Sequence, residues 1–120
     1  MTTLAMLQEK NCAHTRTALT PAELPSYLAL LPEWRVDDDM IQRCFDLTNY
    51  HETLAFTNAI AAMIHAQDHH PELIITYNRC IVRYNTHSVN EGKGGISEND
   101  FICAAKIDAI YQQSRSTLHS

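Results

Sequence analysis

Three helix-start signals divide this chain and set what it can fold into. Thr20-Pro21-Ala22-Glu23 offers a capping threonine, a proline at the first helical position and a glutamate that can reach back to close a capping box. Asn49-Tyr50-His51-Glu52 repeats the signal, and Ser97-Glu98-Asn99-Asp100 caps a last helix. The stretches between these starts have strand character. Trp34 to Val36 and Met40 to Leu47 read as two strands around a turn at Asp37, Asp38 and Asp39. Ile41, Phe45 and Leu47 share one face at period two, with Arg43 interrupting it. Leu73 to Tyr77 and Cys80 to Thr86 are rich in β-branched and aromatic residues and read as a second pair. The order is α-β-β-α-β-β-α. It implies an α+β fold, with one mostly antiparallel sheet and its helices packed on one face.

The helices carry matching apolar faces. Leu24, Tyr27, Leu28 and Leu31 align on the first, although Pro25 lacks the amide that bonds one turn back, so this helix starts late or bends there. The second runs to about His65–Asp68, with Leu54, Ala61 and Ile64 on one stripe and Phe56, Ile60 and Met63 beside it, a width that calls for a sheet to cover. The last carries Phe101, Ala104, Ala105, Ile107 and Ile110. Ser88 to Gly95 holds all three glycines and reads as a flexible loop. Residues 1–18 show no period and read as a tail with a short helical turn around Met6. The expected division is therefore a tail over 1–18, one domain over 19–113 and a C-terminal tail over 114–120.

Composition narrows the function. The chain has 120 residues, 45% hydrophobic and 19% charged, enough to bury a core without metal or disulfides. Nine Lys+Arg against fourteen Asp+Glu leave a net charge of −5, which argues against a nucleic-acid groove. Cys12, Cys44, Cys80 and Cys103 form no C-x-x-C pair, so no cysteine-based zinc site is expected, and scattered thiols suit a reducing cytoplasm. No apolar run is long enough for a secretory core or a membrane span.

Four of the seven histidines fall close together: His65, His69, His70 and His87. Imidazole exchanges protons near neutral pH, and two such groups in different environments can divide the halves of one reaction. His65 and His69 are four apart and so share a helix face. His70-Pro71 turns the chain out of the helix. His87 ends the last strand, and Asp100 stands in the first turn of the last helix, able to orient an imidazole. Blander readings compete. A helical zinc pair at His65 and His69 lacks further ligands and the glutamate of a metalloprotease. A lone histidine at a helix end usually serves the helix dipole, and His65 alone is as readily a solvated residue. His14, His51 and His119 stand apart and read as surface residues. The aspartate run at 37–39 reads as a solvated turn, not a calcium loop, and Trp34 as core. Tyr77 is expected to face the histidine region and line a pocket for a flat ring.

At His69-His70-Pro71 the chain resembles the pterin-4a-carbinolamine dehydratase family. The ordered set His65, His69-His70-Pro71, Tyr77, His87 and Asp100 carries the resemblance, which extends to Leu31-Pro32-Glu33-Trp34, to Ile41-x-Arg43-x-Phe45, to Thr86-His87 and to the Ser97–Asp100 cap. It covers about residues 20 to 112. His65 stands where the animal proteins commonly have Glu, and the loop from Ser88 to Asn99 is longer than theirs. The resemblance implies a four-stranded antiparallel sheet with three helices on one face, a homodimer or homotetramer, and no metal or organic cofactor. It also implies a pterin substrate supplied by an aromatic amino acid hydroxylase. On it, His69 and His87 are the acid/base pair and His70 positions the pterin. Pro71 fixes the histidine pair, Asp100 orients an imidazole or binds a pterin nitrogen, His65 tunes the field, and Tyr77 and Thr86 join the substrate-binding set.

Two other classes compete. One is a non-catalytic binding or assembly module of the same fold, like the family members that act as transcriptional coactivators or in protein assembly. The other is a small metal-dependent hydrolase using His65, His69 and His87.

Overall fold

The computed structural model describes residues 1–118, with side chains to Arg115. Its elements are α1 (Leu4–Glu9), α2 (Leu24–Leu30), β1 (Arg35–Asp37), β2 (Met40–Asp46), α3 (Tyr50–Gln67), β3 (Glu72–Ile75), β4 (Arg79–Tyr84) and α4 (Glu98–Leu118), with a short 3₁₀ turn at Asn90–Gly92. The four strands form one antiparallel sheet in the order β1-β2-β4-β3. Ile41, Phe45, Cys80, Val82 and Tyr84 are buried on one sheet face, against Phe56 and Ile60 of α3 and Phe101 and Ile107 of α4. Burying each of these large side chains stabilises the fold by about 1.5–3 kcal/mol.

Local chemistry explains the element ends. Thr20 and Glu23 form the reciprocal bonds of a capping box, Thr20 N–H to Glu23 Oε1 at 2.9 Å and Glu23 N–H to Thr20 Oγ1 at 3.2 Å. They close a turn, and α2 proper begins at Leu24 with Pro25 in its first turn, where a missing amide is harmless. Asp38 and Asp39, at φ 53° and 57°, form the two-residue turn that matches the twist of β1 and β2. Asn49 caps α3 through Glu52 N–H at 2.9 Å.

Three expectations change. The segment before Leu19 is docked, with α1 burying Leu7 completely. The buried stripe of α3 is Thr53, Phe56, Ile60 and Ile64, while Leu54 and Ala61 face outward, because the sheet accepts a narrower face than the apolar width suggests. Arg43 does not interrupt its strand face. Its guanidinium lies 4.4 Å from the Phe45 ring centre and donates to Asp108 Oδ1 at 2.9 Å, which also accepts from Trp34 Nε1 at 2.9 Å. Burial pushes the Asp108 carboxyl up, against the pull of Trp34 and Arg43.

Candidate active site

The site is built where the C-terminus of α3, the end of β4 and the start of α4 meet. Asp68 ends α3 in the left-handed conformation, φ 50° and ψ 41°, and its N–H bonds the His65 carbonyl at 3.2 Å. This turn separates His65 from His69. His65 stays exposed on the helix, while His69 swings under the sheet edge, so the two do not share a face as expected.

His69 is held on three sides. Its Nε2 lies 2.6 Å from Asp100 Oδ1. Its ring stacks on Tyr84 at 5.0 Å between centroids and 19° between planes, and its carbonyl accepts the Tyr84 hydroxyl at 3.0 Å. Burial pushes the Tyr84 phenol far up, which keeps it a hydroxyl donor.

Asp100 is completely buried and fully engaged. Besides His69, it accepts the Ser97 N–H at 2.9 Å and the Thr86 hydroxyl at 3.1 and 3.2 Å. The Ser97 bond is half of the capping box of α4, so one carboxylate both starts the helix and holds the imidazole. An ionised carboxylate only accepts, so in that pairing Nε2 donates and Nδ1 is the ring nitrogen left free of Asp100.

A cavity of about 330 Å³ opens beside this pair, lined by His14, Asp68, His69, His70, Asn85, Thr86, His87 and Ser88. A larger hollow of about 430 Å³ between α3 and α4 offers one imidazole, His51, against four here. His70 and His87 are exposed at the mouth. Thr86 is buried and pairs with Ser97 Oγ at 2.6 Å.

The loop after His87 is not the free segment its glycines suggest. Thr86 and Gly95 pair through both backbone groups, at 2.8 and 3.2 Å, and Val89 is fully buried. A Cβ on Gly95 would come within 2.7 Å of Asn90 Nδ2, so a larger residue there would push that side chain aside.

Not all expected residues gather. Tyr77 lies in the β3–β4 turn, 66% exposed, where its carbonyl accepts from Thr53 near the start of α3. That is the opposite end of the sheet from His69, because the hairpin reverses there, so within this chain Tyr77 does not face the histidines. Pro71 leads into β3 and does not line the cavity, nor does His65, so the triad of a metal-dependent hydrolase is not assembled. His14, expected as a remote surface residue, does line it. Nothing in the sequence signals this, since its segment has no period. His119 lies outside the described residues.

A family described as pterin 4 alpha carbinolamine dehydratase matches residues 17–110, most of the chain. The chain belongs to this family. A protein of Bdellovibrio bacteriovorus named "Putative pterin-4-alpha-carbinolamine dehydratase" is 59% identical over 93 residues, which span 78% of each chain. One of the same name from Nitrosospira multiformis is 42% identical over 109 residues, 91% of this chain and 93% of the relative. A crystal structure described as a transcriptional coactivator/pterin dehydratase from Brucella melitensis superposes with a TM-score of 0.71 at 33% identity, covering 79% of this chain and 99% of that one. The four-stranded antiparallel sheet with its helices is therefore the architecture of a pterin dehydratase relative. Among the described residues, no helix is long and apolar enough to cross a membrane.

Proposed function

We propose that this member of the dehydratase family removes water from a 4a-hydroxytetrahydropterin by histidine acid/base catalysis. The reaction needs one proton delivered to the leaving 4a-hydroxyl and one taken from ring N5. The C–O bond breaks, a C=N bond forms, and quinonoid dihydropterin and water leave. The observation that carries the reading is the His69–Asp100 pair at 2.6 Å opening on a cavity that also holds His70 and His87. With Nε2–H fixed by Asp100, His69 offers Nδ1 as one proton-transfer group, and His87 at the mouth is the other. His70 binds the pterin, Thr86 supports Asp100, and Pro71 sets the exit of the histidine pair from α3.

The substrate arises wherever an aromatic amino acid hydroxylase spends its tetrahydropterin, so the protein acts in tetrahydropterin recycling. Four free thiols fit work in the cytoplasm. Strand β3 is a sheet edge with Ile74, Ile75 and the neighbouring Tyr77 exposed, which supports a homo-oligomer built on that edge.

The test is dehydration of a 4a-hydroxytetrahydropterin generated in situ and followed by absorbance. We expect wild type to accelerate it. His69→Ala and His87→Ala are each expected to lower turnover at least ~10-fold with the fold intact. Unchanged kinetics in both variants overturn the assignment. No acceleration by folded wild type favours a binding module, the second reading, which the coactivator name of the Brucella relative supports.

A further inference from the structure

The segment between α1 and α2 carries chemistry that the dehydration does not use. Cys12 precedes the family-matched residues, and its sulfur lies 3.5 Å from that of Cys103 and 3.6 Å from the Asn99 carbonyl oxygen. Cys103 is completely buried on α4, one turn after Asp100, and its thiol feels the Tyr84 hydroxyl that braces His69. The approach is held by the surrounding chain. Cys12 N–H donates to Gln67 Oε1 at 2.7 Å, and Asn99 clasps Ala13 through both its side-chain atoms, at 3.3 and 2.7 Å. Two residues beyond Cys12, His14 forms one wall of the histidine cavity, and the Thr15 carbonyl accepts the Ser88 hydroxyl.

We propose that Cys12 and Cys103 form a reversible disulfide, made by hydrogen peroxide and undone by a thiol, that locks the His14 wall onto α4. The two sulfurs have different parts. Cys12 is half-buried, and the hydrogen bond from Cys103 lowers its pKa against the effect of burial, with His69 and Lys106 helping. It is the attacking thiolate. The Cys103 thiol is pushed far up by its bond to Cys12 and by burial, and it is the resolving group. The Cys12 thiolate attacks one peroxide oxygen, the O–O bond breaks, and hydroxide leaves, taking a proton to become water. Cys12 is then a sulfenic acid. The Cys103 sulfur gives up its proton and attacks the Cys12 sulfur. An S–S bond forms, the S–O bond breaks, and a second water departs. Two thiols are oxidised and one peroxide is reduced. Closing to a disulfide needs the sulfurs to approach by about 1.5 Å, a movement the short segment 11–13 can absorb.

The test uses the whole chain and hydrogen peroxide. Reduced protein, denatured and alkylated, carries four labels, one on each of its four cysteines. After peroxide, we expect two labels to be lost, a Cys12–Cys103 peptide in the digest, and full recovery with dithiothreitol. Cys12→Ser and Cys103→Ala should each abolish the cross-link, the first on the segment and the second in the core, so misfolding of one leaves the other to decide. Hydrogen exchange across residues 11–15 should slow in the oxidised wild type and not in Cys12→Ser. Retention of all four labels, a cross-link through Cys44 or Cys80, or equal exchange in both redox forms overturns the proposal. Its effect on turnover rests on the dehydratase reading, but none of these readouts uses a pterin, so the two can fail separately.

Discussion

Asp100→Asn separates the two tasks of the buried carboxylate. In the native site its oxygens accept from His69 Nε2 at 2.6 Å, from Ser97 N–H at 2.9 Å and from the Thr86 hydroxyl at 3.1 and 3.2 Å. Asparagine is nearly the same shape but offers one oxygen and one NH₂. The oxygen is needed by Ser97, whose backbone donor is fixed by the start of α4. The NH₂ then faces His69 Nε2, and two donors cannot meet. His69 must move its proton to Nδ1 and accept at Nε2. On the proposed mechanism the Nδ1 lone pair is then lost, and the imidazole holds the wrong tautomer for its step. Turnover should fall on the order of 10²-fold or more. Charge-assisted bonds are replaced by neutral ones, each weaker by about 1 kcal/mol, so stability should drop by about 2–4 kcal/mol, roughly 10 °C in melting temperature. A domain with about 5–15 kcal/mol in hand stays folded at the assay temperature. Thermal unfolding and steady-state dehydration on one preparation make the check. A variant that melts early yet keeps its kcat/KM would refute the reasoning, leaving Asp100 as a helix cap alone.

Three further perturbations discriminate other parts of the structure. Thr86→Val removes a buried donor to Asp100 but leaves the His69 bond, so it should cost about 1–2 kcal/mol by urea unfolding with kcat within a few-fold of wild type. A large rise in KM would instead show that Thr86 touches substrate. Asp108→Ala strips the shared acceptor from Arg43 and Trp34, both four-fifths buried or more, and should destabilise by about 3 kcal/mol while sparing turnover, because Asp108 lies two helical turns from Asp100. Lys10→Met tests the ion pair that ties the end of α1 to Glu98. Burial alone would raise the Glu98 carboxyl, but Lys10 and Tyr27 together hold it below its ordinary value of 4.5. The unfolded chain therefore binds that proton more readily, and the contribution is complete above pH 4.5 and lost as pH falls through the folded value. The urea midpoints of wild type and variant should differ at neutral pH and converge in acid. An equal gap at both ends would discount the pair.

The frame of this fold is legible because it is local. Thr20, Asn49 and Ser97 announce the helices through bonds that span three residues, and the period-two spacing of Ile41 and Phe45 announces the covered sheet face. Asp100 was reachable for the same reason, since the residue that orients His69 is also the last residue of the Ser97–Asp100 capping signal. What stayed hidden depends on chain reversal. Tyr77 lies between His70 and His87 in sequence, yet it sits in the hairpin turn at the opposite end of β3 and β4 from both. Arg43 looks like a fault in an apolar face until Asp108, 65 residues away, supplies its partner. His14 and Cys12 sit in a stretch with no period, and their neighbours lie on α3 and α4, so no pattern within the stretch could name them.

On the proposed dehydration, the arrangement also accounts for several histidines rather than one. Losing water from a carbinolamine moves two protons in opposite senses, so the acid and the base must differ at the same pH. His69 is enclosed, stacked on Tyr84 and tied to a buried carboxylate that fixes its tautomer and stabilises any positive charge it takes up. His87 stands exposed at the end of β4, where solvent can restore its proton between turnovers. One imidazole is specialised by its protein partners and the other by its access to water, and the divergence of their settings is what two opposed proton transfers require. In the proposed reaction the imidazole of fixed tautomer belongs on the buried side, because a wrong tautomer there cannot be corrected by solvent. Asp100 therefore has to be placed by something that forms with the fold itself, and the first turn of α4 is such an element.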